Sequence, residues 1–122
     1  MLKLSKILLE DFAPQEQDTI NFSTHNIGKY AVVLATLGNK RVGALRLLPF
    51  EGAYKVDQVI VDDSYRGLGV GKELYLTAFE DLGEFYSDSK RTQAAQRVWD
   101  SLVRDGYAIF DEDKKLYKMV KS

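Results

Sequence analysis
The stretch VDQVIVDDSYRGLGVGKELYLTAFEDL, Val56 to Leu82, decides the fold. An apolar run stops at Asp62 and Asp63, glycines follow at 67, 69 and 71, and a helical pattern begins at once. Leu74, Tyr75, Ala78, Phe79 and Leu82 recur at helical spacing. Glycine lets backbone come close to a ligand. The first amides of a helix have no intrahelical partners. Together they make an anion cradle, with Arg66 and Lys72 placed to add charge-assisted contacts to phosphate. The plainer reading is a tight strand-to-helix connection whose glycines solve only geometry.

Two nucleotide readings fail here. The dinucleotide fingerprint needs Gly-x-Gly-x-x-Gly after a first strand, whereas Gly67, Gly69 and Gly71 are evenly spaced in mid-chain. The phosphate loop needs Ser or Thr after its lysine, and Lys72 is followed by Glu73.

Outward from this stretch, Tyr30–Leu37 and Arg41–Leu48 read as a hairpin about the turn Gly38-Asn39-Lys40, its second strand ending before Pro49. Tyr54–Val61 is the strand entering the glycine loop, and residues 84–88 are a short strand. Thr92–Arg104 is a second helix with Ala95, Val98, Trp99 and Leu102 on one face. Ser89 or Thr92 caps it and Gly106 ends it. Tyr107–Phe110 and Leu116–Val120 are final strands around the solvated turn DEDKK. Before the hairpin, Lys3–Leu9 reads as a first strand, and residues 10–29, with Pro14, as a loop or short helix. The order predicts a mixed α/β domain with one core under a curved sheet, a single domain over 1–122.

The totals narrow the function. A chain of 122 residues, 45% of them hydrophobic, has one small domain's core. Charged residues are 29% and net charge is −1, which gives no whole-domain footprint for nucleic acid. Its seven tyrosines are scattered rather than set along a basic stripe. With no cysteine and one histidine, His25, disulfides, thiolate zinc sites and multi-histidine metal sites are excluded. No metal is expected. No stretch reads as a signal peptide or a membrane span, so a cytoplasmic protein is expected.

Arg66-Gly67-Leu68-Gly69-Val70-Gly71 matches the Arg/Gln-x-x-Gly-x-Gly/Ala signature of the GCN5-related N-acetyltransferase (GNAT) superfamily, which the chain resembles from about residue 30 onward. VIVDDSY resembles the family's approach to that loop, with Asp63 where proline is common. TQAAQRVWDSLVRDGYAIF resembles its next helix and the strand beyond, with Tyr107 after Gly106. The resemblance implies a compact acyl-CoA N-acyltransferase fold. It also implies acetyl transfer from acetyl-CoA, a cosubstrate, to a primary amine by direct attack in a ternary complex. Carried onto this chain, Arg66 to Gly71, with Lys72 adjacent, hold the pyrophosphate. Val59, Ile60 and Val61 border the pantetheine arm, and an amide near Val59 or Ile60 polarises the thioester oxygen as charge develops on it. Thr92 or Gln93 contacts the arm where the family often has asparagine.

Acid and base are less regular. In a regular strand Asp57 shares a face with Val59 and Val61, where a carboxylate among apolar neighbours can serve as base. The alternative is a solvent-facing acid at a sheet rim, and a bulge would break the parity. Where many relatives carry a tyrosine as acid for the thiolate, this chain has Trp99 or Leu102, depending on the alignment anchor. Tyr86 and Tyr117 are the candidate replacements; otherwise the thiolate leaves unassisted or through water. Ser87, Asp88 and Ser89 either hold a cationic amine or simply close the strand, and His25 lines an acceptor pocket or lies at the surface.

The family usually places two helices between its first two strands, and only residues 10–29 are available here. That reduction predicts an open acceptor side, or a wall from a second subunit, for an amine on a small molecule, peptide or protein. An exposed final strand favours a homodimer. The alternatives are a coenzyme-binding module without efficient chemistry and a structural partner protein on the same fold.

Overall fold
A computed structural model describes residues 19–120. Seven strands form one sheet: β1 (Ile20–Ile27), β2 (Tyr30–Leu37), β3 (Lys40–Phe50), β4 (Ala53–Val61), β5 (Phe85–Tyr86), β6 (Ala108–Asp111) and β7 (Leu116–Met119). Helix α1 (Val70–Leu82) joins β4 to β5, and α2 (Gln93–Arg104) joins β5 to β6. The sheet order is β1-β2-β3-β4-β5-β7-β6. Among the described strands only β4 and β5 run parallel, as a helical crossover between neighbouring strands requires. The mixed α/β architecture read from the residues is present.

Hydrophobic residues of both helices and one sheet face make a single core. Val33, Leu45 and Leu47 meet Leu74, Tyr75 and Trp99, all essentially without exposure. Alternation on β2 follows the pleat: Ala31, Val33 and Ala35 are buried, and the residues between them lie on the other face. Helix α1 packs across β1 to β4, whereas α2 lies against β6 and α1.

Three expectations need correction. Residues 20–27 of the segment expected as loop or short helix form the strand β1, joined to β2 by Gly28-Lys29 alone. No helix intervenes between these two strands. Among the described residues strand β1 is an edge; Asn21, Ser23 and His25 are exposed while Ile20 and Phe22 face the core, and its polar half hides the pattern. The strand expected over residues 3–9 and the part of the loop over 10–18 lie outside the described residues. Strand β3 does not stop before Pro49: it continues to Phe50, and Glu51-Gly52 form the hairpin turn. Finally, β7 is not an exposed last strand, because it sits between β5 and β6; among the described residues the edges are β1 and β6. The last strand therefore offers no free edge for the homodimer expected through it. No helix among the described residues is long and apolar enough to cross a membrane.

Candidate coenzyme cleft and active site
Strand β5 is two residues long, and its brevity opens the site. Tyr54 pairs with Phe85 and Lys55 with Tyr86, and there the parallel pairing ends. The next residue, Ser87, turns to β7: its amide donates to the Tyr117 carbonyl at 2.8 Å, and its Oγ accepts from the Tyr117 amide at 2.9 Å. From Val56 on, β4 is paired with β3 alone, so β4 and β5 part in a V.

The glycine stretch lies at the open end of that V. Asp62 accepts from the Ser64 amide at 3.0 Å and starts a single helical turn over Asp63–Tyr65. Gly67 and Gly69 then take φ of 78° and 83°, in the left-handed region that favours glycine. Gly69 precedes α1, and its carbonyl accepts from Glu73 at 3.0 Å. No side chain caps this helix start. The amides of Val70, Gly71 and Lys72 therefore end the helix without intrahelical acceptors.

A cleft of about 600 Å³ follows, between β4, the loop and both helices. Of the residues expected to bind coenzyme, Val59 and Val61 line it, as do Arg66, Gly67, Gly69, Val70, Gly71 and Lys72 from the loop and α1, and Thr92 at α2. Ile60, Leu68 and Gln93 are not among its lining residues. Ile60 turns outward and is 54% exposed, Leu68 packs against the core, and Gln93 is an exposed residue of the first turn of α2. A bulge sets the orientation on β4. Arg46 pairs with Gln58 but Leu47 with Val56, so Asp57 is an extra residue. Tyr54 and Val56 face the core before it, and Val59 and Val61 after it.

Tyr65, Tyr75, Ala94, Ala95, Arg97, Val98 and Ser101 also line the cleft and are not among the residues expected there from the sequence. On α2 the i, i+3, i+4 and i+7 spacing of 94, 97, 98 and 101 marks one face, a signal that was legible. Gly71 is where the helices approach: a Cβ there would lie 3.6 Å from Val98 and 3.9 Å from Val61.

Three cations reach the cleft. Arg66 is well exposed, pairs with Asp63 at 3.2 Å and donates to the Val61 carbonyl at 3.3 Å. Arg97 has no ion-pair partner among the described residues. Lys72 is engaged: its Nζ bonds Ser101 Oγ at 2.8 Å and the Asp105 carboxylate, tying α1 to the end of α2. The Lys72 hydrogen bond holds the Asp105 carboxyl below its ordinary range.

The candidate acids and bases fall elsewhere. Asp57 accepts from Arg46 Nε at 2.7 Å and Nη2 at 2.6 Å, both at Oδ2, and Arg46 lies over the Tyr30 ring. The bulge removes the simple parity that placed Asp57 on one face with Val59 and Val61. Trp99 and Leu102 are both fully buried. Trp99 meets Tyr75 and Phe85 edge-on at 5.0 and 5.9 Å and stacks on Tyr117 at 5.7 Å. Tyr86 packs edge-on against Phe50 at 5.4 Å, and the Tyr117 hydroxyl accepts from Gln96 Nε2 at 2.9 Å. Neither tyrosine lines the cleft. Their removal from it follows from β5 and β7 turning toward each other and away from β4. Burial pushes the Tyr75 phenol well above its ordinary range, opposed in part by the nearby Trp99 indole.

Ser87 is fully buried in the β5–β7 junction and accepts from Arg91 at 3.2 Å, so it closes the strand. Asp88 accepts from the Lys90 amide at 3.4 Å, and Ser89 is exposed. His25 lies on the exposed face of β1 beside Ser23 Oγ at 2.8 Å, away from the cleft. Among the described residues no group of three or more His, Asp or Glu is placed to hold a metal ion.

The family model for Acetyltransferase (GNAT) matches residues 1–102. The chain belongs to this family. Solved GNAT structures share its fold. The chain resembles an acetyltransferase from Elizabethkingia anophelis with acetyl-CoA bound (TM-score 0.56, 14% identity, 85% of this chain and 99% of that one). It also resembles the ribosomal-protein-S18-alanine N-acetyltransferase of Escherichia coli (TM-score 0.53, 14% identity, 77% of this chain and 68% of that one). A GNAT-family chain from Desulfovibrio desulfuricans gives a TM-score of 0.55 at 16% identity over 75% of this chain, which spans 66% of that chain's length. No curated protein matches the chain. At these identities the structural likeness concerns the fold, and the activity of this GNAT member rests on its own residues.

Proposed function
We propose that this protein transfers the acetyl group of acetyl-CoA to a primary amine, by direct attack in a ternary complex. The observation that carries the proposal is the parting of β4 from β5 beside an uncapped, glycine-led helix start. A relative of the same fold holds acetyl-CoA, which supports the cosubstrate. The amides of Val70, Gly71 and Lys72 cradle the pyrophosphate, and the guanidinium groups of Arg66 and Arg97 neutralise its charge. The pantetheine arm runs past Val61 and Val59, where β4 has no strand on its β5 side. A free β4 amide there polarises the acetyl oxygen as the amine attacks.

The amine enters from the open face of the sheet, opposite the helices. Asp57 stands on the bulge beside the point where the strands part. Arg46 occupies its Oδ2, which leaves Oδ1 to accept the proton released by the amine. The acceptor is a small molecule or a protein amine. With β1 and β2 joined by two residues, no helix between them walls that side.

A second reading is a coenzyme-binding module with little chemistry. It is favoured by Trp99 and Leu102, the two candidates for the position where many relatives carry the acid, both being fully buried. Calorimetric titration with acetyl-CoA, followed by an amine panel, separates the two. Saturable binding at one site per chain with turnover is expected. Binding without turnover on any amine supports the module, and no binding overturns both.

A further inference from the structure
The sheet face turned away from the helices carries a cluster that the coenzyme cleft does not use. Phe85 belongs to the core, so Tyr86 beside it points to the opposite face. Tyr86 is buried there, with Phe50 edge-on at 5.4 Å. Three lysines lie over these two rings. Lys55 Nζ is 5.0 Å from the centre of Phe50, Lys118 Nζ is 5.5 Å from that of Tyr86, and Lys114 Nζ is 6.0 and 5.7 Å from the two. Strand pairing gathers them: Tyr86 pairs with Lys55 of β4 on one side and with Lys118 of β7 on the other.

Two of the three ammonium groups have a carboxylate. Glu51, at the turn between β3 and β4, holds Lys114 at 2.5 Å, and Glu84 holds Lys118 at 3.2 Å. Those hydrogen bonds keep both lysines above their ordinary range, and so charged. Lys55 has no ion-pair partner among the described residues. The cluster thus carries an excess positive charge, although the chain as a whole has a net charge of −1. Lys55 is partly buried, and an ammonium drawn away from water attracts an anion more strongly.

The position of Lys55 relative to the chemistry indicates the ligand. It lies in the last rung before β4 and β5 part. Asp57 follows two residues on, about 7 Å along a strand. Val56 between them is in the core, so Lys55 and Asp57 both stand on the open face, from which the amine enters. The Asp57 carboxylate is already engaged by Arg46, so it does not compensate Lys55.

We infer that this cluster is an anion subsite for the acceptor and that Lys55 is a specificity-determining residue: the acceptor is a primary amine carrying a carboxylate or phosphate within about 7 Å of its nitrogen. The inference rests on the acetyltransferase reading and deepens it. The amine nitrogen sits at Asp57, and its anionic group lies against the Lys55 ammonium at the edge of the Phe50 ring. Lys114 and Lys118 add to the positive field behind it. The acetyl transfer itself is unchanged; the cluster selects which amine arrives.

The test compares matched amines as acceptors: γ-aminobutyrate with butylamine, and phosphoethanolamine with ethanolamine. The anionic member of a pair should be preferred about tenfold in kcat/KM, chiefly through KM, and added salt should shrink the preference. A third pair, peptides with glutamate or glutamine after the N-terminal residue, separates the sources: a preference confined to the peptides makes the acceptor a protein, and one confined to the small amines makes it a small molecule. Lys55→Met should bring the ratio within a pair close to one, and Lys55→Arg should restore it. Equal use of both members of every pair by the wild type, or a ratio unchanged in Lys55→Met, overturns the inference. The wild-type panel decides by itself if the variant does not fold. Coenzyme binding without turnover of any amine instead overturns the acetyltransferase reading, and this inference with it.

Discussion

Two helix starts face one cleft and are finished in opposite ways. At α2, Thr92 Oγ1 accepts from the Ala95 amide at 3.1 Å, and the Thr92 carbonyl accepts from Gln96 at 2.9 Å. Arg91 adds bonds to the Asp88 carbonyl at 2.7 Å and Gln96 Oε1 at 2.8 Å, and lies over the Tyr117 ring. At α1, Gly69 brings no side chain, and nothing caps the first amides. A start closed by its own side chains is a structural joint. A start left open beside a cleft is a place for an anion. The contrast also limits Thr92, whose oxygen already serves the helix.

The most damaging change to this arrangement is Trp99→Ala, on the buried face of α2 against Tyr75 of α1. Removing the fully buried indole from between Tyr75, Phe85 and Tyr117 should cost about 4 kcal/mol of stability, read by denaturant unfolding. A smaller loss would mean that the helices do not share one core.

Gly71→Leu acts on the open start alone. Gly71 has no positive φ, so a side chain brings no backbone strain, but beyond Cβ it must cross between Val98 and Val61. Acetyl-CoA binding should weaken about 100-fold in a folded protein, measured by calorimetry. Unchanged affinity would remove the cradle from this site.

Thr92→Ala acts on the closed start. Loss of the cap should cost about 1 kcal/mol of stability while acetyl-CoA affinity stays within about twofold. If affinity falls and stability does not, Thr92 serves the ligand and the contrast fails.

The smallest effect concerns the strut between the helices. Asp105 is depressed in the folded protein by Lys72, so its contribution is complete above the unfolded carboxyl value and is lost as pH falls through the lower folded value. The melting temperature of Asp105→Asn should lie below wild type at neutral pH. That gap should close as pH falls below about 4. A gap independent of pH would exclude the ion pair as its cause.

What the residues determined by themselves is the local order. The run from Val56 to Leu82 carries strand, left-handed glycines and amphipathic helix within a few residues of one another, and the structure has each of them. The ends of β2 and α2 were legible for the same reason, since pleat alternation, a capping threonine and Gly106 act on their immediate neighbours. Strand β1 was not legible, because an edge strand needs only half of an apolar pattern and its polar half reads as loop. Tertiary structure decided which side chains meet at the cleft. Lys72 finds Asp105 33 residues further on, and Ser87 finds Tyr117 30 residues further on. Tyr75 of α1 and Val98 of α2, 23 residues apart, come to line one cleft. Local signals act through φ and side-chain period along a few residues. These contacts depend on where distant segments end, and that is set only when the sheet closes over its core.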